Sequence, residues 1–337
     1  MKHFLVFFKV YNYLIITTLF SFISFFIFSQ KDTVSLTSYR NNLIIYNDLG
    51  FNTAPFDLKI VHNQISKNLK FRNNIHDFYG VGCNYKIFSV RFGVQLPGSI
   101  KPTKSYGYSK YFHLGFDFTY KKIFFDFDFY QYKGFALMDS KQFYNNYNNE
   151  YPNDIKNDLM SNSFSVNMWY FHKKNFTMSA LRGKTAVFNK FAFTWYLKST
   201  LNSFGLSNNN SPIIPDYLID TINTKSSATH IRAFDFGFIP GIALVLVKNH
   251  WNFSVLTGYG FTIQDKSYET TTTSLYRNFI GLASRYDIRV MGGYNTPKWF
   301  LMLHTDFDNK SIQFTGLKYA QTYFSIRLVG GYRFGIK

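Results

Sequence analysis

Residues 111–135 read YFHLGFDFTYKKIFFDFDFYQYKGF, and the placing of their charges decides the fold. Phe112, Leu114, Phe116, Phe118 and Tyr120 occupy every second position, with Tyr111, His113, Gly115, Asp117 and Thr119 between them. After Lys121-Lys122 the alternation resumes, and Phe125, Phe127 and Phe129 oppose Asp126, Asp128 and Tyr130. A period of two marks a β-strand, whose successive side chains point to opposite faces. An unpaired carboxylate among phenylalanines is costly. The two faces of these strands must therefore meet different surroundings.

The alternation recurs along the chain. In FSVRFGVQL (88–96), Phe88, Val90, Phe92, Val94 and Leu96 oppose Ser89, Arg91, Gly93 and Gln95. In GLASRYDIRV (281–290), Leu282, Tyr286, Ile288 and Val290 oppose Arg285, Asp287 and Arg289. In WFLMLHTDFD (299–308), Trp299, Leu301, Leu303 and Phe307 oppose His304, Asp306 and Asp308. The last stretch, from Tyr323, sets Phe324, Ile326, Leu328, Tyr332 and Phe334 against Ser325, Arg327 and Arg333. Two architectures carry such strands. In a soluble sandwich the apolar face is the core; in a membrane barrel it meets lipid and the polar face lines the lumen. Stretches of about 9–11 residues suit a tilted membrane span, whereas soluble strands average about 5–6. Unbroken rows of Phe, Trp and Leu are too bulky for a thin sandwich core. Tyr111, Tyr120, Trp251, Trp299 and Phe334 at strand ends suit interfacial girdles.

Composition agrees. Of 337 residues, 41 are Phe and 26 Tyr, more than a soluble core uses. Mean hydropathy is nevertheless slightly negative, so apolar and polar residues are interleaved. The exception is 1–29, MKHFLVFFKVYNYLIITTLFSFISFFIFS, where Lys2 and Lys9 precede an apolar run ending at small Ser29. This reads as a secretory signal peptide cut near Ser29 or Gln30; an uncleaved membrane helix is the alternative. The chain carries 37 Lys+Arg against 19 Asp+Glu, a net charge of +18. Removing Lys2 and Lys9 leaves 35 − 19 = +16. The cations are spread over turns and loops, which favours anionic lipid headgroups and lipopolysaccharide as partners over nucleic acid. Cys83 is the single cysteine, so neither an internal disulfide nor a multi-cysteine metal site is expected.

Connection lengths give the topology. Short turns are expected at 84–87, 121–122, 172–175, 248–250 and 295–298, and longer connections at 97–109, 134–160, 199–229, 264–276 and 309–320. The alternation holds if 176–198 is one strand interrupted around RGKTAVFNK and if PFDLKIVH (55–62) is the first strand. The expected fold is all-β: a transmembrane antiparallel up-and-down β-barrel of about 12 strands, within about 10–14, with both termini in the periplasm. The expected divisions are a signal peptide (1–29), a periplasmic N-terminal segment or partial plug (30–54) and the barrel (55–337).

The chain also resembles a family of outer-membrane β-barrels catalogued as domain of unknown function four-four-two-one. The resemblance rests on YGVGCNYKIFSVRFGVQLP (79–97), KYFHLGFDFTYKKIFFDFDFYQYKGF (110–135), SALRGKTAVFNKFAFTWYLKST (179–200) with SPIIP after it, and FIPGIALVLVKNHWNFSVLTGYG (238–260). It implies an outer-membrane barrel and brings no reaction and no catalytic residues.

The polar faces carry His113, Asp117, Asp126, Asp128, Arg285, Asp287, Arg289, His304, Asp306, Asp308, Arg327 and Arg333. One reading is a charged lumen that selects a solute; the other is an ion-pair network that fills a narrow barrel. Similar numbers of Asp and Arg favour pairing. The spacing Asp306-x-Asp308 with His304, or Asp126-x-Asp128, could hold a cation, but any inward pair on a strand has this geometry, and no metal or cofactor is expected. A membrane lipid hydrolase needs a Ser and a His converging at one rim. His172 lies outward at a turn beside Lys173 and Lys174, and no serine stands out beside it. A non-enzymatic narrow pore, or a passage for a small ligand or lipid, is the leading expectation. A closed structural or interaction barrel with partner-binding loops is the rival, and a lipid-modifying enzyme the third. The barrel-assembly machinery is an implied partner, and the oligomeric state is left open.

Overall fold

A computed structural model describes residues 33–335, apart from 76, 121, 144–152, 221 and 272–276. The expected signal peptide lies outside the described residues. The strands are β1 (Leu36–Ser38), β2 (Asn42–Thr53), β3 (Phe56–His62), β4 (Ile65–Arg72), β5 (Phe78–Tyr85), β6 (Phe88–Gln95), β7 (Lys110–Tyr120) and β8 (Ile123–Leu137). They continue with β9 (Asp154–Phe171), β10 (Ala186–Phe188), β11 (Ala192–Ser207), β12 (Ala228–Lys248), β13 (Trp251–Thr270), β14 (Arg277–Asn295), β15 (Trp299–Phe314) and β16 (Leu317–Gly335).

All but β1 and β10 form one antiparallel sheet that closes on itself, with first strand against last: Asn42 pairs Gly335 and Thr53 pairs Phe324. β3 continues β2 along β16 in the same register, Phe56 against Gln321. Pro55 divides the two because it has no N–H to give the ladder. β4 and β5 likewise follow one another down β3 and β2. Counting each pair once, the wall is a twelve-strand transmembrane antiparallel barrel. β6 and β7 are short. Above them β4 meets β8 directly through Phe71↔Leu137 and Arg72↔Ala136, so the upper part of the wall has two strands fewer.

Three expectations about the wall change. The wall begins at Asn42, so residues 42–53 belong to the first strand and not to a separate segment. Its alternation is blurred by Asn47 on the outer face, where Tyr79 Oη donates to it at 2.6 Å. The connection expected at 309–320 is a two-residue turn, Thr315-Gly316, with Gly316 at φ +80°. Most importantly, 176–191 is not wall. The link from β9 to β11 folds inward.

Outward rows are apolar around the ring. On β13, Trp251, Phe253, Tyr259, Phe261 and Ile263 are exposed, and Asp265 follows. From Trp251 to Ile263 at about 3.3 Å per residue and a tilt near 45° the row stands roughly 28 Å high. At its lower end Trp251, Tyr294 and Trp299 lie side by side, with ring centroids 5.4 Å apart at each step. Tyr120, Trp251, Trp299 and Phe334 are exposed here, as a girdle requires. Tyr111 is not: it is buried inside, its ring tilted against Phe78 and Tyr132, because its parity follows His113.

The interior has three layers. The lowest is the link 172–191, in which helix α1 (Met178–Leu181) is capped by Thr177, whose Oγ1 accepts from Ala180 N–H. Phe176, Met178, Leu181 and Phe188 are buried against Trp169, Phe171 and Tyr196. β10 within this link pairs β1, so the N-terminal segment contributes one strand of a plug. The top layer is apolar: Phe56, Phe71, Phe135, Phe204 and Tyr319 pack beneath Ile213, Ile214 and Leu218 of the loop 208–227. Between the two lies a charged layer.

Candidate functional site

The period-two strands aim their polar rows at one level of the lumen, and the wall delivers cations and anions alternately. Asp128 accepts from His113 Nε2 at 2.8 Å and lies 3.9 Å from Arg91. Arg91 reaches Asp48 at 3.5 Å, and Asp48 meets Arg327 at 3.8 Å. Arg327 pairs with Asp306, which is 3.8 Å from Arg289. Arg289 donates to Asp287 at 3.1 Å, and Lys198 closes the series 3.3 Å from Asp287. Signs alternate across β8, β6, β2, β16, β15, β14 and β11. Each charge has lost water but gained opposite neighbours, which is the condition under which buried ions are tolerated.

A second set ties the plug to the wall. Arg182, just past α1, donates to Asp117 at 2.8 Å and to Asp126 at 3.1 Å. Arg333 donates to Gly183 O at 2.7 Å, Asn295 Oδ1 at 2.8 Å and Lys184 O at 2.9 Å. His304 Nε2 lies 3.2 Å from Arg182 O. Gly183 sits at φ +67°, and a Cβ there would meet Asn295 Nδ2 at 2.7 Å; the turn needs a glycine on both counts. Higher up, Arg285 pairs with Asp235, which also accepts from Asn202 at 2.7 Å and Thr262 at 3.2 Å.

All twelve residues singled out by sequence face the interior, and eleven of them fall into three groups. Asp128, His113, Arg327, Asp306, Arg289 and Asp287 join the alternating series. Asp117, Asp126, Arg333 and His304 hold the plug. Arg285 belongs to the upper pair with Asp235, and Asp308 lines the space between. Their cavity offers about 90 Å³ to water-sized molecules. A water needs roughly 10–15 Å³ by this measure, so only a handful fit. Asp126, Asp128 and Asp306 of the two DxD pairs face arginines, and among the described residues no three His, Cys, Asp or Glu gather as for a metal ion.

Sequence reasoning missed Asp48, Arg182, Lys198, Asp235 and Lys310 as members of this layer. Asp235 in RAFDFGF and Lys310 after Asp308 obey the same alternation and were within reach. Arg182 was not, since no periodicity marks an inward-folding link.

No curated relative matches the chain. The family described as a domain of unknown function, DUF4421, matches residues 25–334. Among solved structures the chain is similar to the outer membrane protease OmpT from Escherichia coli, at 11% identity over 90% of this chain and 99% of that one, TM-score 0.37. It is similar also to the translocator domain of autotransporter NalP from Neisseria meningitidis, at 8% identity over 87% and 88%, TM-score 0.40. The P. putida toluene transporter TodX follows at 8% identity over 88% and 91%, TM-score 0.32. At these scores the likenesses carry no argument about activity.

Proposed function

The chain belongs to the DUF4421 family, and from that premise we propose that it is a non-enzymatic outer-membrane barrel, closed to end-to-end passage, which acts as a structural or interaction scaffold through its upper end. One observation carries this reading: the lumen is filled in three successive layers, with the ionic layer between plug and apolar core. The filling favours a scaffold over an open pore. The wall above the apolar belt, including the hairpin β3–β4 and the loop 208–227, is the part offered to partners. Export through a cleaved signal peptide, contact with lipopolysaccharide and insertion by the barrel-assembly machinery complete the proposal.

Planar bilayers test it. The intact protein is expected to give no stepwise conductance, and a variant with residues 176–189 replaced by a short turn is expected to stay silent too, because the apolar layer above the charged one still fills the lumen. A stable step in the intact protein that changes with Asp126→Asn and Asp128→Asn would establish a pore and end the scaffold reading. Phospholipase and acyltransferase assays are expected to stay at background, and N-terminal sequencing of the exported chain is expected to start near Gln30.

A further inference from the structure

β14 and β15 pair only from Asp287↔Asp308 down to Asn295↔Phe300. Above that rung β14 continues to Arg277 against β13, and β15 continues to Phe314 against β16. The two strands have parted, and the wall carries a window. Its sill is the Asp287–Asp308 rung. Its lintel is Phe279 edge-on to Phe314, with centroids 5.5 Å apart.

Bare strand edges are hard to keep in a membrane, because lipid satisfies no backbone group. Side chains substitute for the missing rungs. Asn309 Oδ1 accepts from Tyr286 N–H at 2.9 Å, and its Nδ2 reaches Ser284 O at 3.5 Å. Gln264 Nε2 donates to Ser311 O at 3.0 Å, Arg285 to Asn309 O, and Lys266 to Gln313 O.

The two sides of the window differ in chemistry. Outside, Leu282 sits beside Ile263 at the top of the apolar belt, and Ile280 lies opposite Asp265 just above it. They are 77% and 83% exposed, the most exposed apolar side chains on any described strand. Inside, the rim carries Lys266, Arg285 and Lys310 against Asp235, Asp308 and the sill's Asp287, and Asp287 is already taken by Lys198 and Arg289. Arg285 is matched by Asp235. Lys310 is held by the hydroxyls of Ser163 and Ser165, and Lys266 by a carbonyl. Among the described residues neither lysine has a carboxylate within 4.0 Å.

We propose that this window is a lateral binding site for an anionic single-chain amphiphile, a long-chain carboxylate or phosphate. Its acyl chain lies along Ile280 and Leu282. Its head displaces the Lys266 bond to Gln313 and meets Lys266, with Lys310 behind. Lateral entry needs no open end, so the site is independent of the scaffold reading. A strand added from another chain fits less well. It must displace every substitute rung, where the amphiphile displaces one.

The test uses the full chain in phosphatidylcholine nanodiscs, photolysed with hexadecanoic acid bearing a terminal diazirine, or with the corresponding alcohol. Peptide mapping is expected to place the acid's cross-links on 277–286 and 307–314, about tenfold above the alcohol's, the factor expected of one charged hydrogen bond. Lys266→Met with Lys310→Met is expected to erase the acid's preference. Ile280→Ser with Leu282→Ser changes exposed side chains only, and is expected to lower labelling by both probes several-fold even where the lysine variant does not fold. Labels spread evenly round the belt, or equal labelling by acid and alcohol in the unaltered protein, overturn the proposal. So do chain-to-chain cross-links at the window in place of amphiphile.

Discussion

Asp287 accepts from Arg289 and Lys198, with Trp169 Nε1 and Tyr196 Oη each at 3.4 Å. Asp287→Ala strands buried Lys198 and leaves Arg289 with Asp306 alone, and is expected to cost on the order of 3–5 kcal/mol in urea unfolding from vesicles. Asp287→Asn, which keeps the shape and one acceptor, should cost less. A loss under about 1 kcal/mol for the alanine variant would put the pair in the class of solvated surface bridges. Gly80 makes a different demand. A Cβ there would fall 1.7 Å from Asp48 Oδ1, so Gly80→Ala is expected to reduce the yield of heat-modifiable barrel sharply. At this scale the sequence was informative. Parity alone carried His113, Asp126, Asp287 and Arg327 to the interior, because a strand leaves no other choice of side. Parity could not say what each would meet, since a partner depends on which strands become neighbours. Tyr111 stands inside and not in the girdle for the same reason: its place on the period-two row, not its aromatic ring, sets its side.

Two elements were illegible beforehand, and both are links between strands. In the link 172–191, Phe176, Met178, Leu181 and Phe188 carry enough apolar bulk to pass for wall, yet they bury in the lumen. Only contacts distant in sequence, such as Arg182 to Asp117, distinguish the two outcomes. Arg182→Ala is expected to loosen this link selectively, seen as faster hydrogen exchange over 176–189 with little change in β12 and β13. The loop 208–227 is held at Asp220, whose carboxylate accepts from Ile222 N–H at 2.8 Å and Asn63 N–H at 3.0 Å. Those bonds favour the charged form and lower its pKa. A lowered carboxylate stabilises above its ordinary pKa, near 3.9, and loses that contribution as pH falls through the folded value. Proteolysis within 208–227 is therefore expected to be slow at neutral pH, to rise only in strong acid, and to be fast at neutral pH in Asp220→Ala.

For the whole molecule, the belt sorts the four tryptophans. Trp195, Trp251 and Trp299 are exposed on the outer face, while Trp169 is buried beneath the charged layer. Brominated lipid is expected to quench the first three and to leave Trp169 emitting; quenching of all four alike would contradict an inward Trp169. The strand number was legible because turn spacing and span length are local properties. The parting of β14 from β15 was not, since it depends on which strands become neighbours and on side chains such as Asn309 and Gln264 that replace the missing rungs. The closing of the ring has one more consequence, and it concerns time. The wall strand that is synthesised first pairs with the strand synthesised last, Asn42 with Gly335. That contact has the greatest sequence separation in the fold, and such contacts form slowly. Until β16 arrives, β2 presents a bare edge that lipid cannot satisfy. The final nineteen residues of the wall thus act as a clock: insertion cannot complete before them, and a chain ending at Phe314 is expected to stall with its first strand still open to capture.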